Sequence, residues 1–207
     1  MRLSPDQCRF GALASQIGVP LAPDQIALLE SFEELLRDRA IPLGLVSDRD
    51  AGRLRDRHLL DCLRASLAVG RFDRDAYDIG SGAGLPGLVV AIARPTVRMT
   101  LLEPKRRSAA FLELAIADLG LGNVSVSIER AQSLSKPSPA DICFARAVAP
   151  LPASLALARP LLRPGGRLVY FASHDFRAAA VPEEIRSTLI LWTPLLERSG
   201  PLVIMTR

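Results

Sequence analysis

The run Tyr77-Asp78-Ile79-Gly80-Ser81-Gly82-Ala83-Gly84-Leu85-Pro86-Gly87 holds the residues whose types and spacing point most directly to chemistry. One carboxylate, Asp78, ends an apolar stretch, and Gly80, Gly82, Gly84 and Gly87 follow it. Glycines let a backbone approach a ligand closely and adopt angles closed to other residues. Pro86 has its φ preset for the first turn of a helix, and the start of that helix would aim free N–H groups at the ligand. A second carboxylate, Glu103, closes the next apolar run, Met99 to Leu102. Its distance from the glycines, about 20 residues, is where an acid meets ribose hydroxyls in nucleotide-binding folds. The chemistry on offer is the binding of a nucleoside-bearing ligand.

Two patterns fit the turn. Gly82, Gly84 and Gly87 satisfy G-x-G-x-x-G, the dinucleotide fingerprint. Asp78, Gly80, Gly82 and Gly84 satisfy D-x-G-x-G-x-G, the pattern of S-adenosylmethionine-dependent methyltransferases of the Rossmann-like class I. A carboxylate beside the first glycine repels a pyrophosphate but suits a ligand carrying an ammonium and a sulfonium. The methyl donor is therefore preferred, with an NAD-binding oxidoreductase as the alternative. Leu161-Leu162-Arg163-Pro164-Gly165-Gly166-Arg167-Leu168 adds the helix–Pro-Gly-Gly–strand layout typical of that class before its fifth strand. A simple helix-to-strand turn would use the same residues.

The elements that must carry these groups divide near Gly70. Residues 1–70 read as a helical extension packed on a methyltransferase domain of residues 71–207. Ser4-Pro5-Asp6-Gln7 is a capped helix start. Pro23-Asp24-Gln25 opens a second helix with Ile26, Leu29, Phe32 and Leu36 on one face. A third is expected from about Asp50 to Val69, with Leu60, Leu63 and Leu67 as its stripe. Beyond Gly70, strand-like runs at Ala76–Ile79, Met99–Leu102, Val124–Ile128, Asp141–Ala145 and Arg167–Phe171 alternate with helices such as Ser108–Leu119, which Gly120 would stop. That alternation predicts an α/β, doubly wound, mostly parallel sheet. Thr188–Thr193 and Pro201–Thr206 would complete seven strands as an antiparallel C-terminal hairpin.

Composition narrows the class. A chain of 207 residues, 49% hydrophobic and 23% charged, suits a single globular unit. No apolar run is long enough to span a bilayer, and Met1-Arg2-Leu3-Ser4-Pro5-Asp6 lacks the apolar core of a signal peptide. Three scattered cysteines and two histidines give neither a disulfide framework nor a metal cluster. The reading is a cytoplasmic protein with no metal. The net charge of +4 is compatible with a nucleic-acid partner.

A closer resemblance rests on several segments in order. Asp78-Ile-Gly-Ser-Gly-Ala-Gly-Leu-Pro-Gly87 resembles the D-x-G-(S/T)-G-x-G-L-P-G turn of the small-subunit ribosomal RNA guanine-7-methyltransferases, the glucose-inhibited division protein B family. Arg57-His58-Leu59-Leu60-Asp61 resembles that family's R-H-x-x-D segment, Leu45-Val46-Ser47-Asp48-Arg49-Asp50 its L-T-(S/A)-x-x-D segment, and Arg146-Ala147 its S-R-A. Departures occur at Gly44 (Asn in the family), Cys62 (Ser or Thr), Ser108 (the Arg of K-R), Gln132 (an acid), and Ala172-Ser173 (K-G).

The resemblance implies transfer of a methyl group from S-adenosylmethionine to nitrogen-7 of a guanine in small-subunit (16S) ribosomal RNA, by a monomer. It carries over donor-binding roles to Asp78, Gly80, Ser81, Gly82, Gly84, Leu85, Glu103, Ala131 and Gln132. Arg146 is assigned to the methyl-transfer centre, on the donor carboxylate or an RNA phosphate. Arg57, His58 and Arg107 are assigned to the RNA, naked or in a ribosomal subunit. Without the resemblance, Arg57 and Asp61 read as a helical salt bridge. Arginines 49, 53, 55, 57 and 64 and the Lys105-Arg106-Arg107 cluster could meet phosphates. With so few aromatics, no stacking platform for extended single strands is expected. A paralogue acting on another RNA or a small molecule, or a non-catalytic RNA-binding relative, stays open.

Overall fold

The computed structural model describes residues 3–134, 137–181, 185, 187–196 and 199–207. Seven strands, β1 (Asp75–Ile79), β2 (Arg98–Leu102), β3 (Val124–Ser127), β4 (Ala140–Arg146), β5 (Leu162–Phe171), β6 (Ser187–Leu191) and β7 (Leu202–Thr206), form one sheet ordered β3-β2-β1-β4-β5-β7-β6. β1 to β5 run parallel, and β7 lies antiparallel to both β5 and β6. The expected class I methyltransferase architecture is therefore present, with its C-terminal hairpin. Strand order reverses between β1 and β4, and ligands bind in such sheets outside the carboxyl ends of the strands at that switch point.

Among the described residues six α-helices flank the sheet, the first three ahead of β1 in the sequence. In α1 (Pro5–Gln16) the Ser4 hydroxyl accepts from the Gln7 N–H, and the Gln7 side chain accepts in return from the Ser4 N–H. α2 (Pro23–Leu35) buries Ile26, Leu29 and Phe32, with Leu36 just beyond it. These residues share one core with Leu88, Val89 and Leu101 of the sheet region. α4 (Gly87–Ala93) follows β1, α5 (Arg106–Leu119) follows β2, and α6 (Leu151–Ala158) follows β4. Gly120 ends α5 in the left-handed conformation.

Three local expectations need correction. The helix expected over 50–69 is not regular. It tightens over Asp48–Arg53, widens by a residue per turn over Leu54–Leu59, is α-helical as α3 (Leu60–Leu63), and tightens again over Arg64–Ala68. The stripe consequently rotates. Leu60 and Leu63 are buried, but Leu67 is exposed and Arg64 takes the inward place. The widened turns also dissolve the Arg57–Asp61 pair, since four residues no longer complete a turn. Arg57 bonds Asp50 instead. The Pro-Gly-Gly turn is not ahead of β5 but a bulge within it. Ala140 pairs with Leu162 and Ile142 with Arg167, so Arg163–Gly166 are looped out. Pro86 precedes the first helical residue, Gly87, instead of occupying it.

Candidate active site

Asp78 and the turn after β1 build the first wall. Gly80, Gly82 and Gly84 have φ of +67°, +57° and +82°, which an L side chain resists. A Cβ on Gly84 would lie 2.8 Å from Leu88 Cγ, and one on Gly80 3.0 Å from Val148 Cγ2. A Cβ on Gly82 would meet nothing closer than the Gly80 carbonyl at 3.9 Å. The turn is thus packed behind and open in front at Gly82. Asp78 is fully buried and its Oδ2 accepts from the Gly87 N–H at 3.0 Å. Its Oδ1 is buried with no partner among the described residues. Burial pushes this carboxyl up to about 7, against the opposing pull of the Ser81 and Gly87 hydrogen bonds and the Arg146 charge.

Glu103, at the end of β2, faces the same turn. Its Oε2 accepts from the Gly82 N–H at 2.8 Å and its Oε1 from the Lys105 N–H at 2.9 Å. Each carboxylate oxygen keeps a second lone pair for another donor.

The second wall is a network of charge. At the end of β4 the Arg146 guanidinium donates to His58 Nδ1 at 2.8 Å and stands 3.6 Å from Asp61 Oδ2. A guanidinium can only donate, so His58 Nδ1 must be unprotonated and the ring neutral, with its proton on Nε2. Burial, then the Arg146 charge, lower the His58 pKa in keeping with that state. Nε2 is 3.2 Å from Asp50 Oδ2, close but poorly aligned for a hydrogen bond. Asp61 also accepts from Arg64 Nε at 2.9 Å, and Arg64 NH2 donates to the Gly200 carbonyl at 2.7 Å. Arg64 is 2% exposed, so this charge depends on those partners. Both Arg64 and Arg146 lie 5.8 Å from the Phe171 ring centroid. Ala147, directly after Arg146, has a φ of +55°, the one described non-glycine residue in that region. A cleft of about 830 Å³ opens here, lined among others by Arg53, Arg57, Asp61, Arg146, Phe171 and His174.

The two walls meet at the switch point, since Ile79 pairs with Ala145 and Gly80 packs against Val148. Of the residues expected to act, Asp78, Gly80, Gly82, Gly84 and Glu103 are together at the turn, and Arg57 and Arg146 line the cleft. His58, assigned to the RNA, is instead buried between Arg146 and Asp50 and does not line it. The side chains of Ser81 and Leu85 face inward. Ser81 Oγ donates to the Asp78 carbonyl, and Leu85 belongs to the core. Ala131 is buried and Gln132 exposed on a short turn after β3. Arg107 is exposed in the first turn of α5, two residues after Lys105, and does not line the arginine cleft. Arg64, expected among phosphate-binding arginines, is corrected to a buried brace because Asp61 and a carbonyl from the far end of the chain enclose it. Phe171 carries no signal in the sequence for this role, whereas Asp50 and Asp61 are the acids of the two segments that resemble the family's, and the i,i+3 spacing of Asp61 and Arg64 is a local signal for their pairing.

Two departures have structural readings. Gly44 has a φ of +68°, a left-handed position that suits glycine and asparagine alike. Cys62 is fully buried, and burial pushes its thiol up to about 12, leaving it neutral and unreactive.

These residues fit S-adenosylmethionine. The orphaned Asp78 oxygen suits an ammonium, Glu103 suits ribose hydroxyls, and the open front at Gly82 admits a ligand against the backbone. Residues 25–186 match the family model described as GidB, rRNA small subunit methyltransferase G. The chain is 42% identical over 164 residues to "Ribosomal RNA small subunit methyltransferase G" of Nocardioides sp., covering 79% of the chain and 63% of that protein. It is 42% identical over 171 residues to the protein of the same name from Thermobifida fusca, covering 83% and 71%. The chain thus spans about two thirds of the length of these relatives. Among solved structures, the O-methyltransferase TomG of Streptomyces achromogenes in complex with SAM superposes with a TM-score of 0.58 at 19% identity, over 98% of this chain and 99% of that one. That likeness establishes the fold. Family match and sequence identity together show that the chain belongs to the rRNA small subunit methyltransferase G (GidB) family.

Proposed function

We propose that this protein is an S-adenosylmethionine-dependent methyltransferase acting on nitrogen-7 of a guanine in small-subunit ribosomal RNA, in the cytoplasm and as a monomer. The observation that carries the reading is the meeting of the glycine turn with Arg146 at the sheet's switch point, in a chain of this family. When bound, S-adenosylmethionine supplies a methyl group on a cationic sulfur. Asp78 and the backbone of Gly80–Gly84 hold its methionine end, Glu103 its ribose, and the Ala131-Gln132 turn its adenine.

Guanine nitrogen-7 has a free lone pair and no proton, so no general base is required. The protein's task is alignment of the two reacting atoms and exclusion of water. Arg146, fixed by His58 and Asp61, borders the cleft that admits the base and can hold an RNA phosphate or the donor carboxylate. Arg57 and the exposed Arg107 contact phosphates on the two sides.

The test is methyl transfer from labelled S-adenosylmethionine to small-subunit RNA taken from cells lacking the protein, supplied both naked and as whole subunits. Mass spectrometry of the digested RNA should reveal 7-methylguanosine at one position. Label in another base, or none in either substrate, overturns the reading.

A further inference from the structure

Trp192 is the only tryptophan in the chain, and it is 52% exposed. It directly follows β6, and its ring stands edge-on to His174, with centroids 6.1 Å apart and planes at 71°. His174 lines the same cleft as Arg57 and Arg146, and so does the exposed Leu195. An indole held by a second ring at the rim of a cleft is a ready surface for a flat, unsaturated partner. The charge beside it has a sign. Arg53 and Arg57, each about half-exposed, turn to a single carboxylate, with Asp50 Oδ1 at 3.7 and 2.8 Å. The cleft is lined by Arg53, Arg57, Arg64 and Arg146 against Asp56 and Asp61, so even with Asp50 counted beside Arg53 and Arg57 it keeps positive charge for an incoming phosphate. Phosphate on guanidinium and base on indole are the two halves of nucleotide recognition in unpaired RNA.

We infer that Trp192, backed by His174, stacks one unpaired base of the RNA next to the guanine being methylated, while Arg53 and Arg57 take its phosphate. This makes Trp192 a specificity-determining residue outside the donor site. The inference rests on the protein being an RNA methyltransferase.

Because Trp192 is the sole indole, its fluorescence reports this spot alone. The probe is protein-free small-subunit RNA from cells lacking the protein, titrated into enzyme saturated with S-adenosylhomocysteine. Binding should quench the indole. Trp192→Ala should weaken RNA affinity ~10-fold and raise KM with little change in kcat, as one lost stack predicts. Trp192→Phe should recover most of the loss, and S-adenosylhomocysteine affinity should stay the same in both variants. RNA binding without quenching, or a Trp192→Ala enzyme whose RNA affinity and KM stay within twofold, would overturn the stack. So would a defect seen with whole subunits and absent with protein-free RNA, which assigns the indole to a ribosomal protein. Wild-type enzyme that binds no small-subunit RNA at all would overturn the functional reading itself.

Discussion

The donor turn and the arginine cleft face each other across the switch point but are built in contrasting ways. The turn is local, made of backbone from Asp78 to Gly87, with Glu103 of the neighbouring strand as its partner. The cleft is assembled from distant side chains: Asp50, His58, Asp61 and Arg64 from the helical segment, Arg146 from β4, Phe171 from β5 and a carbonyl from Gly200. A wall of backbone tolerates little change in residue type. A wall of paired charges tolerates change at its rim but not within, because each buried ion depends on the others.

Asp61→Ala would break the second wall most severely. It strips the carboxylate from Arg64, which has nowhere to go, and breaking a buried pair costs ~3–5 kcal/mol. Urea unfolding should register that loss, and an effect below ~1 kcal/mol would mean water already reaches Arg64. Gly82→Val tests the first wall. Its Cβ projects into open space at positive φ, so stability should fall by only ~1–2 kcal/mol. S-adenosylhomocysteine affinity by isothermal titration should nevertheless drop at least ~100-fold, and unchanged affinity would remove the turn from the donor site.

Arg146→Lys asks whether the walls work as a unit. A lysine cannot span both His58 and Asp61. Turnover should fall ~10- to 100-fold through misalignment, with S-adenosylhomocysteine affinity within about threefold. If turnover holds while donor affinity collapses, Arg146 belongs to the donor.

The mildest test is pH. With a carboxyl at about 7, Asp78 is neutral below that value and cannot attract the ligand's ammonium. S-adenosylhomocysteine affinity should therefore decline ~10-fold from pH 8 to pH 6, and Asp78→Asn should abolish the dependence. Free-protein stability has its own sign. The folded chain keeps a proton that the unfolded chain, near 3.8, releases, so stability falls as pH rises from about 4 to about 7. The Asn variant should lack that slope in thermal melts.

The same contrast decides what could be read from the sequence. The strands, the Ser4 cap, the Gly120 stop and the glycine turn are written in consecutive residues. Each therefore emerged from periodicity or spacing alone, with errors of one or two residues at most strand ends. The third helix misled because widened turns have no composition of their own, which displaced Leu67 and exchanged the Arg57 partner. Arg64 looked like any solvated arginine, since its second partner is a carbonyl 136 residues away. Scarcity of aromatics argued against a stacking surface for extended strands. Scarcity counts rings, however, and does not say that Trp192 and His174 share one rim.

The tie between Arg64 and Gly200 bears on how the protein is made. Translation delivers the arginine long before its acceptor exists, so the front of a nascent chain waits, with a charge half-satisfied, for the final hairpin to leave the exit tunnel. A chain arrested short of residue 200 should remain open to protease around residues 54–68 and present that stretch to chaperones, while the completed molecule closes it from behind.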